Sequence, residues 1–214
     1  MPTIGIPCKH EGDNVLLVEG ADDCHVIMSL CAAHSVPEAF GLYECGGDDR
    51  LLKRLNALII EPDPPKIIGV VLDADAGTDI RWNTLRAKLA HYDYHFSKLP
   101  QSDGTIIDAA TPLPKLGVWI MPNNEVTGML EDFCMEMIDS KPREIAERSV
   151  ADAEKEGVCT FKTTHRSKAI VHTYLAWQDE PGRPLGQAIT TQALKPNTRT
   201  AQAFTTWLTR LFAT

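Results

Sequence analysis

No unbroken apolar run of about eighteen residues interrupts this 214-residue chain, so no transmembrane helix is expected. The opening stretch MPTIGIPCKHEGD has no basic segment followed by an apolar one, so no secretory leader is expected. The six cysteines, Cys8, Cys24, Cys31, Cys45, Cys134 and Cys159, include no CxxC pair and no close cluster. That argues against a zinc ribbon and against a disulfide framework, and predicts reduced, buried thiols in a cytoplasmic protein. There is no HExxH to mark a zinc protease and no GxxxxGK[ST] to mark a phosphate-binding loop. Internal repeats and low-complexity segments are also missing, which excludes a solenoid. Positive charge is in short supply: 21 Lys and Arg stand against 29 Asp and Glu, a formal charge of −8. An acidic chain does not ordinarily offer itself to nucleic acid.

What is present is an ordinary globular balance, with 43% hydrophobic and 23% charged residues and enough length for a real core. The charge is uneven. Residues 1–140 carry 10 basic and 22 acidic side chains, whereas residues 141–214 carry 11 and 7. Apolar runs at 14–18, 41–45 and 66–72 read as buried strands, and helical spacing follows each, at 21–35, 48–60 and 79–92. This β-α alternation predicts an α/β fold with a mostly parallel sheet flanked by helices. Further strands are expected at 105–107 and 116–121. Helices are expected at 126–139, 142–156, 164–177 and 200–212, with a Gly/Pro loop at 181–186. With no obvious linker, one domain over 1–214 is favoured, its core at about 14–140 and a helical C-terminal part at about 141–214.

In open α/β sheets, sites form beyond the carboxyl ends of strands. Glu19 follows the strand NVLLV, and Asp73 and Asp75 follow IIGVVL. Residues two apart in an extended segment point the same way, so Asp73 and Asp75 are expected to face one ion. Mg²⁺ and Mn²⁺ favour hard oxygen ligands, and Mg²⁺ keeps several waters. Asp23, four residues after Glu19, and Glu131, in GMLEDF, can face the same space. Gly128 would let that backbone approach closely. The competing reading of Asp22, Asp23, Glu131 and Asp132 is that they are ordinary acids in the first turns of helices. Asp73 and Asp75 resist it, because carboxylates crowded at the end of an apolar strand repel unless something compensates.

VLLVEGADD, VVLDADAG and PNNEVTGMLEDF together resemble the Toprim superfamily of topoisomerases, primases and related nucleases. The likeness is closer to the Toprim domain of the overcoming-lysogenization-defect nucleases. The whole chain is similar to stand-alone bacterial Toprim-like proteins of unknown function. The resemblance implies a Toprim-like, Rossmann-like sheet with additional C-terminal helices, and metal-dependent phosphoryl transfer on DNA or RNA. It implies Glu19, Asp23, Asp73, Asp75 and Glu131 as ligands of Mg²⁺ or Mn²⁺. Glu19 would double as general acid or base, and a downstream lysine, matched by Lys168 with Lys162 and Arg166 as neighbours, would neutralise phosphoryl charge. A separate ATPase, or another protein partner, is implied too, because no ATPase motif lies in this chain.

Departures narrow this. A third acid in the Asp-x-Asp series is replaced by Gly77, and none of Tyr43, Tyr92, Tyr94 and Tyr174 has the context of a topoisomerase nucleophile. A nuclease, or a regulated nuclease subunit, remains. Three rivals stand beside it. DADAGT, with Thr78, is similar to the loop of haloacid-dehalogenase phosphatases, although there the nucleophile follows the first strand. A receiver-like phosphoacceptor module also groups acids at strand ends. A non-catalytic Toprim-like scaffold would bind a partner without turnover. Residues 160–214, with seven Lys and Arg against Asp179 and Glu180, form either a phosphate-contacting surface, with His165 and His172 nearby, or a set of solvated helix charges.

Overall fold

In the computed structural model, residues 6–8, 12–75, 77–110 and 112–213 are described. Six strands form one sheet: β1 (Ile6–Pro7), β2 (Val15–Val18), β3 (Gly41–Glu44), β4 (Ile67–Asp73), β5 (Thr105–Ile107) and β6 (Lys115–Met121), in the order β1-β3-β2-β4-β6-β5. The inner four run parallel, and β1 and β5 close the edges antiparallel. Residue 76, within the DADAGT loop, and most of the stretch before Asp13 lie outside the described residues.

The strands are apolar on both faces because helices cover both. Leu16, Val18, Val71, Trp119 and Met121 face one core, and Val15, Leu17, Val70, Leu72 and Val118 face the other. The second core is covered by α2 (Asp48–Ile59), through Leu51, Leu52 and Leu55, and by α3 (Thr78–Lys88), through Trp82 and Leu85. The first is covered by α1 (Ala21–His34) and by the C-terminal helices. These are α4 (Leu130–Met135), α5 (Ser140–Lys155), α6 (Arg166–Leu175), α7 (Leu185–Thr190) and α8 (Arg199–Phe212). The architecture is α/β, with a mostly parallel sheet between helical layers.

α8 lies directly on the middle of the sheet. Gly69 on β4 and Gly117 on β6 are register partners, and a Cβ on either would run into the Leu211 side chain. The two glycines form a trough that admits the helix. Trp207 completes the seat, its indole N–H donating to the Thr105 carbonyl at 3.2 Å.

Three expectations change. The helix expected at 126–139 starts only at Leu130, because Gly128 has φ 143°, a backbone value a helix cannot use, and it ends at Met135. The Gly/Pro loop leads into the short helix α7, whose Gly186 packs against the His25 backbone of α1. The thiols are not all reduced: Cys8 and Cys24 are joined in a disulfide, their Cα atoms 6.0 Å apart. A sequence separation of 16 hides the pair in the sequence, and it forms where the β1 segment, paired with β3, passes beside α1. Cys45 and Cys134 are buried thiols, as expected.

Candidate functional site

β3 lies on one side of β2 and β4 on the other, so the strand order turns between β2 and β4. At such a turn the two following loops diverge and leave a crevice above the carboxyl ends. Glu19 follows β2 immediately and Asp73 ends β4. The Asp73 backbone N–H donates to Glu19 Oε1 at 2.8 Å, tying the two strand ends together and leaving Oε2 for other work.

The crevice is a pocket of about 520 Å³ whose polar wall includes Glu19, Asp23, Asp73, Glu131, His165 and Lys168. Each acid is placed by local backbone chemistry. Gly20 precedes α1, and its N–H donates to Asp23 Oδ2 at 3.0 Å. Asp23 is therefore a helix-start acid and a pocket acid at once, 8% exposed, while Asp22 sits exposed on the rim. Beyond β6 the chain passes a cis Met121–Pro122 bond. Gly128 then accepts from the Asp75 N–H at 2.9 Å, which laces this loop to the one after β4. A Cβ at Gly128 would fall 2.7 Å from the Asp132 carboxylate. Asp132 itself accepts from the Met129 N–H at 2.9 Å and from the Ser167 hydroxyl, so it starts α4 and faces away from the pocket chemistry. Its neighbour Glu131, 6% exposed, turns inward to Lys168 Nζ at 3.1 Å. Leu130 N–H donates to Asp73 Oδ1 at 3.0 Å.

Lys168 is thus the cation of KTTHRSK that reaches the acids. Arg166 pairs with Glu154 on α5, and Lys162 is exposed away from the pocket lining. Asp75 is the correction. It is outside the pocket lining, because β4 ends at Asp73 and Asp75 has a left-handed φ of 49°. Strand alternation therefore does not carry past Asp73, and the Asp75 carboxylate pairs with Arg81 instead. The basic C-terminal surface is also largely spent. Arg166, Lys168, Arg183, Lys195 and Arg210 each pair with a carboxylate. His172 is exposed and does not line the pocket.

Four carboxylates around one crevice cost free energy while they are charged. Burial pushes Asp73 up to about 9, with the charges of Asp23, Glu19 and Glu131 adding to it. Burial pushes Asp23 up to about 7, the Gly20 N–H opposing and Glu19 and Glu131 adding. Glu19 is raised by burial, partly offset by the Asp73 N–H. Such a set takes up protons or a cation. As donors, hard carboxylate oxygens with room for water suit Mg²⁺ or Mn²⁺. Among the described residues no three candidate ligands are already drawn into a coordination shell. Each acid is held apart by its own donor: Asp73 N–H, Gly20 N–H, Leu130 N–H or Lys168.

Sequence reading missed Arg81. It lies one turn into α3, and its guanidinium joins Asp48, Asp75 and the Asp73 carbonyl. Its signal was faint: an arginine soon after an acidic loop, on a helix face that is partly buried.

A family model described as a protein of unknown function (DUF3226) matches residues 13–213, which places the chain in that family. No curated protein and no solved structure matches it.

Proposed function

We propose that this member of the DUF3226 family is a divalent-metal-dependent phosphoryl-transfer enzyme acting on nucleic acid phosphodiesters, nuclease-like and of Toprim type. The observation that carries the reading is the convergence of Glu19, Asp23, Asp73 and Glu131, with Lys168, on one crevice at the turn of the sheet order. A bound Mg²⁺ or Mn²⁺ would act as a Lewis acid on a phosphoryl oxygen and lower the pKa of a bound water.

The chain's own residues do the rest. Asp73 and Asp23, at the end of a rigid strand and the start of a helix, supply oxygens whose positions are fixed by Leu130 N–H and Gly20 N–H. Glu19 keeps Oε1 on the Asp73 N–H, which fixes its orientation, and burial raises its pKa, which suits Oε2 to hold or release a proton. Lys168 Nζ, half-exposed at the pocket mouth beside Glu131, can swing to a phosphate oxygen. A nucleic acid substrate goes with a cytoplasmic location. The Cys8–Cys24 bond runs against that location. A separate ATPase would fit as a partner, since the chain carries no nucleotide-binding loop.

The test is cleavage of DNA and of RNA in Mn²⁺, in Mg²⁺ and in EDTA by the wild type, by Glu19→Gln and by Asp73→Ala/Asp75→Ala. Metal-dependent cleavage lost in the variants is expected. Cleavage that is absent, or equal in wild type and variants, defeats the proposal. Turnover of small phosphomonoesters alone would favour the phosphatase reading. One observation favours a non-catalytic, partner-binding role: five of the seven cations in 160–214 are already paired, leaving little free positive surface for a polyanion. A stable co-purifying partner without metal-dependent turnover would support it.

A further inference from the structure

The Arg81 side chain is only 10% exposed, yet three oxygens converge on it. Nε donates to the Asp73 carbonyl at 2.8 Å, Nη1 to Asp48 Oδ2 at 2.5 Å and Nη2 to Asp75 Oδ2 at 2.5 Å. Asp48 opens α2 after β3, and Asp75 follows β4. The planar fork therefore spans two strand-to-helix junctions, a geometry a lysine cannot reproduce. Asp73 stands between two environments: its carboxylate faces the acidic pocket and its carbonyl faces the guanidinium.

We infer that Arg81 is a resident cation standing where a second divalent ion would otherwise bind, so that the acidic site takes one divalent cation and not two. This rests on the metal reading above and fixes its stoichiometry. Two-ion phosphoryl-transfer sites hold their ions about 3.5–4 Å apart and share carboxylates between them. Here the inner group of Glu19, Asp23, Asp73 and Glu131 is ion-paired with one cation, the Lys168 ammonium on Glu131, with the Arg81 charge reaching Glu19 from outside the pocket, and it accepts a dication. The outer acids, Asp48 and Asp75, are already neutralised by a guanidinium. A second ion on the outer acids would take Asp75 from it and sit beside a largely buried guanidinium left with Asp48 alone. Asp75, the residue the sequence pairs with Asp73, therefore belongs to the arginine and not to the metal.

Mn²⁺ titration of the full chain, with free Mn²⁺ followed by electron paramagnetic resonance, decides the matter. The wild type should bind one Mn²⁺. Asp75→Asn should keep that stoichiometry with affinity within about threefold, whereas Asp73→Asn should weaken binding by about tenfold or more. Arg81→Gln, which frees Asp48 and Asp75, should gain a second, weaker site. If that variant does not fold, the wild-type stoichiometry and the Asp75→Asn affinity decide alone. Two Mn²⁺ in the wild type, or loss of binding in Asp75→Asn, overturns the role of Arg81 and leaves the metal reading standing. No Mn²⁺ bound at all overturns the metal reading and this inference with it.

Discussion

Asp73→Asn should make the protein more stable in the absence of divalent cations, and the gain should grow with pH. Asn retains an Oδ1 to accept the Leu130 N–H, so the substitution removes charge while keeping the bond that positions the side chain. The folded-state pKa of Asp73 is raised from 3.8 to about 9. For an acid shifted upward, the folded state holds the proton more tightly than the unfolded chain does. Its contribution to stability is fully present below about pH 3.8 and is lost as pH rises through about 9. At neutral pH, folding must therefore protonate this carboxyl or bury its charge. At about 1.4 kcal/mol per pH unit, the ceiling on that cost is on the order of 4 kcal/mol. Asp23 and Glu19 are raised in the same field and share the penalty, so about 2 kcal/mol is the expected net gain.

The assay is thermal unfolding in EDTA between about pH 5 and about pH 9. Wild-type Tm should fall across that range, and the variant should fall less. At neutral pH and above, the variant should melt higher by about 4–8 °C, the shift that about 2 kcal/mol gives in a chain of this size. Saturating Mn²⁺ should narrow the difference. At a hundred times the wild-type Kd it adds about 2.7 kcal/mol to the wild type, and a variant that binds tenfold more weakly gains about 1.3 kcal/mol less. A variant no more stable than wild type at alkaline pH in EDTA would refute the account of the pocket as a charge-strained donor set.

Gly117→Ala should cost about 1–3 kcal/mol in urea unfolding, because the new methyl meets Leu211 where α8 is seated on the sheet. Leu211→Ala should cost less in that background than in the wild type, because the new methyl fills part of the space it vacates. Lys168→Met leaves the 6%-exposed Glu131 without its cation. Because the lysine is itself half-exposed, the expected cost is only about 1 kcal/mol. Trp207→Phe removes the donor to the Thr105 carbonyl in the core and should destabilise by about 1–2 kcal/mol in the same assay.

The sheet was legible because its strands are short, almost wholly apolar and separated by helices with clean spacing. Both faces of each parallel strand are covered, so no alternation was needed to find NVLLV or IIGVVL. The acids at the ends of β2 and β4 could be read for the same reason, since a charged residue immediately after a buried run has only the crevice to enter. Asp75 was misread because side-chain alternation holds only while the backbone stays extended, and a left-handed φ two residues past Asp73 turns the carboxylate to another partner. Arg81 and the Cys8–Cys24 bond were missed for a shared reason. Both are contacts between segments that only the assembled sheet brings together, and neither leaves a periodic trace. The late start of the helix expected at 126–139 needed the conformation of Gly128, which composition alone does not specify.

The formal charge of −8 has a different physical meaning once the pairs are placed. The excess of cations at residues 160–214 does not form a free basic face. Arg166 and Arg183 are taken by nearby carboxylates, while Lys195 and Arg210 reach back to Asp139 and Asp103. Among the described residues, Lys162 and Arg199 are the cations of that region with no carboxylate partner in the structure. A protein arranged this way has little long-range attraction for a polyanion, since counterion release needs many uncommitted cations. Under the proposed function, recognition of a phosphodiester then falls on the pocket itself. A dication held by the inner carboxylates would reverse the local potential, and Lys168 would exchange Glu131 for a phosphate oxygen. Binding on these terms is short-ranged, weakly dependent on salt and strongly dependent on the metal. Specificity for nucleic acid over other phosphodiesters would then come from the shape of the crevice or from a partner's surface.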